Sequence, residues 1–215
     1  MTSNTDFSHA LRESTHVMHQ NAHDSPFIAE LMTGKRTIAD YTALATQQYF
    51  FYLALEETAA KLQSNEIAGG FHCTELSRVP EIEKDLAFLI GPHWRDVISP
   101  LPVTRRYTEQ IAQTEAWPAG FVAHHYTRYL GDLSGDQIMQ RLLQRQFGLD
   151  VDGVHFYAFP AIPKTKPFKD QYRAKLNTLS FNAAEQKQFI DEVTTAFSLN
   201  IAVFTDLAKT TATAA

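Results

Sequence analysis

Apolar residues recur at intervals of three and four along most of the chain, the spacing of one face of an α-helix. Phe7, Leu11, Ser14 and Met18 draw the first such stripe and predict a helix from about Asp6 to Ala22. Asp24-Ser25-Pro26 ends it, because a residue before proline is pushed out of the helical region. A short helix follows from Phe27 to Thr33, closed by Gly34. Thr37 reads as an N-cap. The long helix it starts runs to about Gln63, with Tyr41, Ala45, Gln48, Tyr52, Leu55, Ala59 and Leu62 on one side. Leu76, Val79, Ile82, Leu86 and Leu89 mark another, stopped at Gly91-Pro92. Val103, Tyr107 and Ile111 begin the next, and Trp117-Pro118 opens one carried to Phe147 and ended by Gly148. Residues 149–166 are irregular, with Gly153, Pro160 and Pro163. Pro167 suits the first position of a helix through Leu176. Asn182-x-x-Glu185 resembles a capping box for a last helix to about Lys209. Strand-like alternation, repeats and linkers are missing. The pattern predicts an all-α, single-domain helical bundle of about eight helices over residues 1–209, with a flexible tail at 210–215.

Composition agrees with that picture. Alanine and leucine outnumber valine and isoleucine by more than two to one, a balance that favours helices. With 44% hydrophobic and 20% charged residues the chain is neither disordered nor fibrous. A net charge of −5 argues against nucleic acid as a partner. The single cysteine, Cys73, forbids an internal disulfide and fits a reducing, cytoplasmic setting. The polar stretch Met1–Asp6 does not resemble a secretory signal. No apolar run approaches the ~20 residues that span a bilayer, so no membrane anchor is expected.

Four features carry candidate chemistry. Gly131-Asp132-Leu133-Ser134-Gly135-Asp136 is a run of poor helix formers inside the helix 118–147. Glycines four apart share a face and let another object approach the backbone closely. That object is a packed helix or a flat ligand, or the run merely marks a kink with another cause, and the pattern leaves these open. Arg128 and Asp132 are also four apart, as a surface ion pair or as polar anchors in a pocket. Next, His16, His19 and His23 share one side of the first helix, as a polar stripe or as candidate metal ligands. Residues 161–176 carry a local charge of +4, with Lys169 and Arg173 spaced to clamp carboxylates or phosphates, or simply to face water. Finally, Phe197 and Phe204 align on the last helix with Asn200 between them, as core or as the wall of a planar site. Nucleotide-binding glycine loops and the nucleophile elbow of hydrolases do not occur.

Taken together, these features resemble the haem oxygenase family, and look close to its soluble bacterial members, from about residue 11 to residue 209. Residues 123–135, Ala-His-His-Tyr-Thr-Arg-Tyr-Leu-Gly-Asp-Leu-Ser-Gly, resemble the distal-helix signature. Leu55-Glu56-Glu57, residues 168–173 and residues 197–201 support it in the family's order. The resemblance implies a monooxygenase that opens haem to biliverdin with release of carbon monoxide and ferrous iron. Haem b would be both cofactor and substrate and dioxygen the co-substrate, with electrons from a reductase or ferredoxin. His19 would ligate the haem iron. Gly131, Ser134 and Gly135 would cover the opposite face. Asp132 would order water there, with Arg128 and Tyr52 in its network. Lys169, Arg173, Tyr126 and Arg12 would hold the propionates, and Phe27, Phe197, Asn200 and Phe204 would line the pocket. The chain would be a monomer or weak dimer.

Two positions depart from the family pattern. His23 stands where an acidic partner of the iron ligand is usual, which implies a less electron-rich iron. Asp136 stands where glycine is usual, facing water or extending the distal network. A haem carrier or sensor, or a non-haem metal oxidase using His16, His19, His23 and Glu56, are the alternatives.

Overall fold

The computed structural model describes residues 6–212, apart from the side chains of Asp136, Thr211 and Ala212. Among the described residues there are nine α-helices, four single 3₁₀ turns and no strand. The helices are α1 (Phe7–His23), α2 (Pro26–Met32), α3 (Ile38–Lys61), α4 (Val79–Leu89), α5 (Trp94–Val97), α6 (Pro102–Gln113), α7 (Pro118–Phe147), α8 (Thr165–Asn177) and α9 (Ala183–Ala212). The ninth helix, absent from the sequence expectation, is α5, a single turn that buries Trp94 edge-on against Tyr49 at 4.9 Å.

Local chemistry accounts for the helix ends. Thr37 accepts from the Asp40 backbone N–H while the Asp40 carboxylate accepts from the Thr37 N–H, a capping box at the start of α3. Asn182 and Glu185 build the same device before α9. Gly148, with φ near +67°, turns the chain out of α7 in a conformation that side-chain-bearing residues rarely adopt. The expected stripe on α1 is shifted. Ser14 is exposed and Thr15 is buried, its hydroxyl satisfied by the Leu11 carbonyl at 2.8 Å. Pro167 is the third residue of α8, not the first. The tail expected at 210–215 is helical through Ala212, and residues 213–215 lie outside the described residues, as do Met1–Thr5.

One continuous apolar cluster, from Phe7 to Leu207, holds the helices together. α3 packs on α6 and α4, and α9 packs along α1, α7, α6 and α2. α7 divides lengthwise: Ala119–Leu133 is almost wholly buried, Ser134, Gly135, Gln137 and Ile138 are exposed, and the residues beyond are mostly half-buried, with Leu143 back in the core. No described helix is long and apolar enough to cross a membrane.

Candidate active site

A crevice opens between α1 and the middle of α7, with α9 as its back. It has two chambers of about 360 and 410 Å³ that share His19, Thr127, Gly131, Ser134 and Phe197. His19 projects into it from α1, its ring edge-on to Phe197 at 6.0 Å. Partial burial, helped by His23 and His16, lowers the His19 pKa. The ring is therefore neutral at pH 7 with a lone pair free to ligate.

Gly131 and Gly135 face the same space. A Cβ built on either would meet nothing within 4 Å. No helix packs on these glycines, which removes one of the meanings the sequence allowed. Bare backbone here borders an open slot opposite an imidazole.

Behind the glycines lies a buried polar group. Tyr52 donates a short hydrogen bond to Asp132 Oδ2. Arg128 Nε donates to the Tyr52 oxygen at 3.2 Å and Arg128 Nη1 to Asn200 Oδ1 at 2.8 Å, with Nη2 3.8 Å from Asp132 Oδ1. The guanidinium also lies 4.5 Å from the Phe51 ring centre. Arg128 and Asp132 are thus a buried pair, not a surface one. Burial raises the Asp132 carboxyl above its usual range, and Arg128 and the Tyr52 hydroxyl oppose that rise. Burial also holds the Tyr52 hydroxyl protonated, so it remains a donor.

The second chamber is basic. Arg12 and Arg173 line it with Tyr126. Burial, then the like charge of Arg173, lowers the Lys169 pKa. An anion would relieve that repulsion. Lys169 itself lines neither chamber; its ammonium donates to Ser134 Oγ at 3.0 Å and so reaches the rim from behind.

Most of the expected residues therefore meet in one place. Phe197, Asn200 and Phe204 line the first chamber from α9. Phe27 does not: it is fully buried in the core, with Arg36 stacked 4.9 Å from its ring centre. A phenylalanine that follows a helix-starting proline is drawn inward with the rest of the α2 stripe. Tyr52 lines neither chamber and reaches the site through Asp132 and Arg128. His23 lines the first chamber, with its Nδ1 2.8 Å from Asp24 Oδ1. The Asp136 side chain lies outside the described residues. Among the described residues, no three His, Cys, Asp or Glu side chains come together to hold a metal ion. Glu56 instead accepts from the backbone of Arg78 and Val79. A centre built from His16, His19, His23 and Glu56 is thus ruled out. Gln48, Met139, Phe156 and Tyr157 also line the crevice and were not anticipated. Of these only Gln48 left a trace, as a polar residue inside the apolar stripe of α3.

An all-helical protein with a neutral histidine and a bare-backbone helix on opposite walls of a crevice, and cations at its edge, is built to hold a flat, anionic metal macrocycle. The heme oxygenase family matches residues 5–206. Heme oxygenase 1 of Synechocystis sp. is 35% identical over 198 residues, covering 92% of this chain and 82% of its own. Human heme oxygenase 1 is 36% identical over 208 residues, 94% and 72% of the two chains. The crystal structure of heme oxygenase-1 from Synechocystis sp. in complex with heme has a TM-score of 0.93 at 34% identity, covering 98% of this chain and 96% of that one. The chain belongs to the haem oxygenase family and is a haem-degrading enzyme, with haem as both cofactor and substrate.

Proposed function

We propose that this chain opens the haem ring to biliverdin, releasing carbon monoxide and ferrous iron, with the crevice between α1 and α7 as the site. The observation that carries this is the open space in front of Gly131 and Gly135, faced by the neutral imidazole of His19. Bound haem supplies the iron that activates dioxygen and the porphyrin edge that is opened. His19 would hold the iron through its neutral ring. The backbone at Gly131 and Gly135, with no side chain between, would let the ring lie close to the helix. Asp132 holds water on that side and passes protons through it. Arg128, Tyr52 and Asn200 keep Asp132 in place and at least partly ionised. Arg12, Arg173 and Tyr126 hold the propionates, and Lys169 supports the same rim through Ser134. That clamp would hold one edge of the ring and so set which part of it faces the distal residues. Phe197 and Phe204 shield the ring from bulk water.

The positive segment at 161–176 is the dock for an acidic reductase or ferredoxin, by electrostatic steering. The working unit is one domain over residues 1–209, monomeric or weakly dimeric, in the reducing setting that a lone Cys73 suits.

The test is a haem titration followed by reduction in air. The expected result is a Soret band saturating at one haem per chain, then its loss with formation of biliverdin. His19→Ala should lose the wild-type spectrum. Haem that binds and survives reduction would make the chain a carrier or sensor; haem that fails to bind would overturn the site.

A further inference from the structure

The crevice wall at Phe156 and Tyr157 comes from an irregular stretch, a single 3₁₀ turn at His155–Tyr157. Its backbone is nonetheless gripped by two charged side chains from the neighbourhood of α4. Asp85 accepts from the His155 N–H at 2.7 Å and the Phe156 N–H at 2.8 Å. Arg78 donates to the Phe156 carbonyl at 3.0 Å and the Ala158 carbonyl at 2.6 Å, with its guanidinium 3.9 Å from the Phe159 ring centre. Asp85 is 1% exposed and Arg78 3% exposed. Removing two opposite charges from water to hold one short turn is costly, and apolar packing of equal volume is often no worse for stability.

What the turn carries suggests why the charges are there. The Phe156 ring meets the Tyr52 ring edge-on, centres 5.2 Å apart at 65°. Tyr52 is the donor to Asp132, yet it lines no part of the crevice; its hydroxyl is held by Asp132 and Arg128, and its ring by Phe51, Tyr129 and Phe156. One helical turn beyond Tyr52, Glu56 accepts from the Arg78 N–H at 2.5 Å and the Val79 N–H at 3.1 Å. The contacts close a circuit: α3 holds the start of α4, α4 holds the turn, and the turn presses back on α3 at Tyr52.

We infer that Arg78 and Asp85 are positioning residues for the reaction. They fix the turn at 155–158 so that Phe156 keeps the Tyr52 hydroxyl aimed at Asp132. The inference rests on the role given to Asp132 above, and its test separates the two.

Two substitutions in the full chain carry it. Asp85→Asn keeps the size but turns an amide N–H₂ toward one of the two backbone donors. Phe156→Leu keeps the brace and most of the volume but removes the ring from Tyr52. The first readout needs no haem: the proton resonance of the Tyr52 hydroxyl, assigned by its loss in Tyr52→Phe. It should shift or exchange with water in both variants. The second is the split between biliverdin and peroxidase-type oxidation of an added phenol. The biliverdin share should fall by roughly threefold to tenfold, the factor an aromatic edge contact is worth. In a Tyr52→Phe background neither substitution should change the split further. An unmoved Tyr52 resonance overturns the inference. So does an equal fall in the Tyr52→Phe background, which would make the brace structural only. A moved resonance with an unchanged split sustains the brace and overturns the role of Asp132. If Asp85→Asn does not fold, Phe156→Leu and Arg78→Lys give the same readouts and decide in the same way.

Discussion

In the proposed reaction the chemistry turns on Asp132, whose protonation burial and Arg128 pull in opposite directions. A carboxyl balanced in this way can hold water as an acceptor and still exchange protons. Asp132→Ala should lower the biliverdin yield by about 10²-fold, the scale of a lost proton-transfer group, and raise oxidation of an added phenol. Product analysis by absorbance checks both. His125 makes a different prediction. It is buried against Tyr172, its ring nitrogen 2.9 Å from the Tyr172 hydroxyl, and burial lowers its pKa from 6.5 to about 3. In this window the unfolded chain binds the proton and the folded chain does not. Stability should therefore fall with acid, by about 1.4 kcal/mol per pH unit, from pH 6.5 down to about 3. Denaturant titrations across that range should show a flatter profile for His125→Phe, which is less stable at neutral pH but has no proton to take up.

At the scale of the element, α7 shows how much a sequence can reveal. Its ends were legible because Trp117-Pro118 and Gly148 are chemical punctuation, and the Asn182–Glu185 capping box likewise announced α9. The oddity of Gly131 and Gly135 was legible too, but not its meaning, since a packed helix and an empty slot ask for the same residue. Only the open space in front of both decides it. The shifted stripe of α1 was hidden because a threonine can bury its hydroxyl on a carbonyl one turn back. α5, a single turn, is too short to have a period. The grip of Arg78 and Asp85 on the turn at 155–158 joins positions some seventy residues apart, which no local pattern records. The empty space makes a sharp prediction for Gly135→Ala. The protein without haem should gain about 1 kcal/mol in stability, because alanine is the better helix former and its methyl meets nothing. Haem affinity should fall in the same variant. Thermal unfolding and a Soret titration measure the two opposed effects.

For the whole molecule, the distribution of charge matters more than its sum. The chain carries −5 overall, yet the segment around α8 is positive, and Arg12 and Arg173 meet at the basic chamber. Some of that charge is tied up locally, as in the pairing of Lys166 and Arg173 with Asp170. Turnover driven by a limiting acidic donor protein should fall steeply with added salt, because exposed charges are screened beyond about 8 Å at physiological ionic strength. Turnover driven by a small neutral reductant should not. Steady-state rates across a salt series separate the two.

The lengthwise division of α7 has a consequence for traffic through the enzyme. Its first half is locked into the bundle and fastened at Arg128, and its end returns to the core at Leu143 and Phe147, while Ser134, Gly135, Gln137 and Ile138 between them are exposed. Segments with few buried contacts open locally at far less free energy than the fold as a whole. A bulky pigment can therefore depart by a brief opening of this short stretch, held at both ends, and a fresh ring can enter the same way, while the rest of the bundle stays assembled.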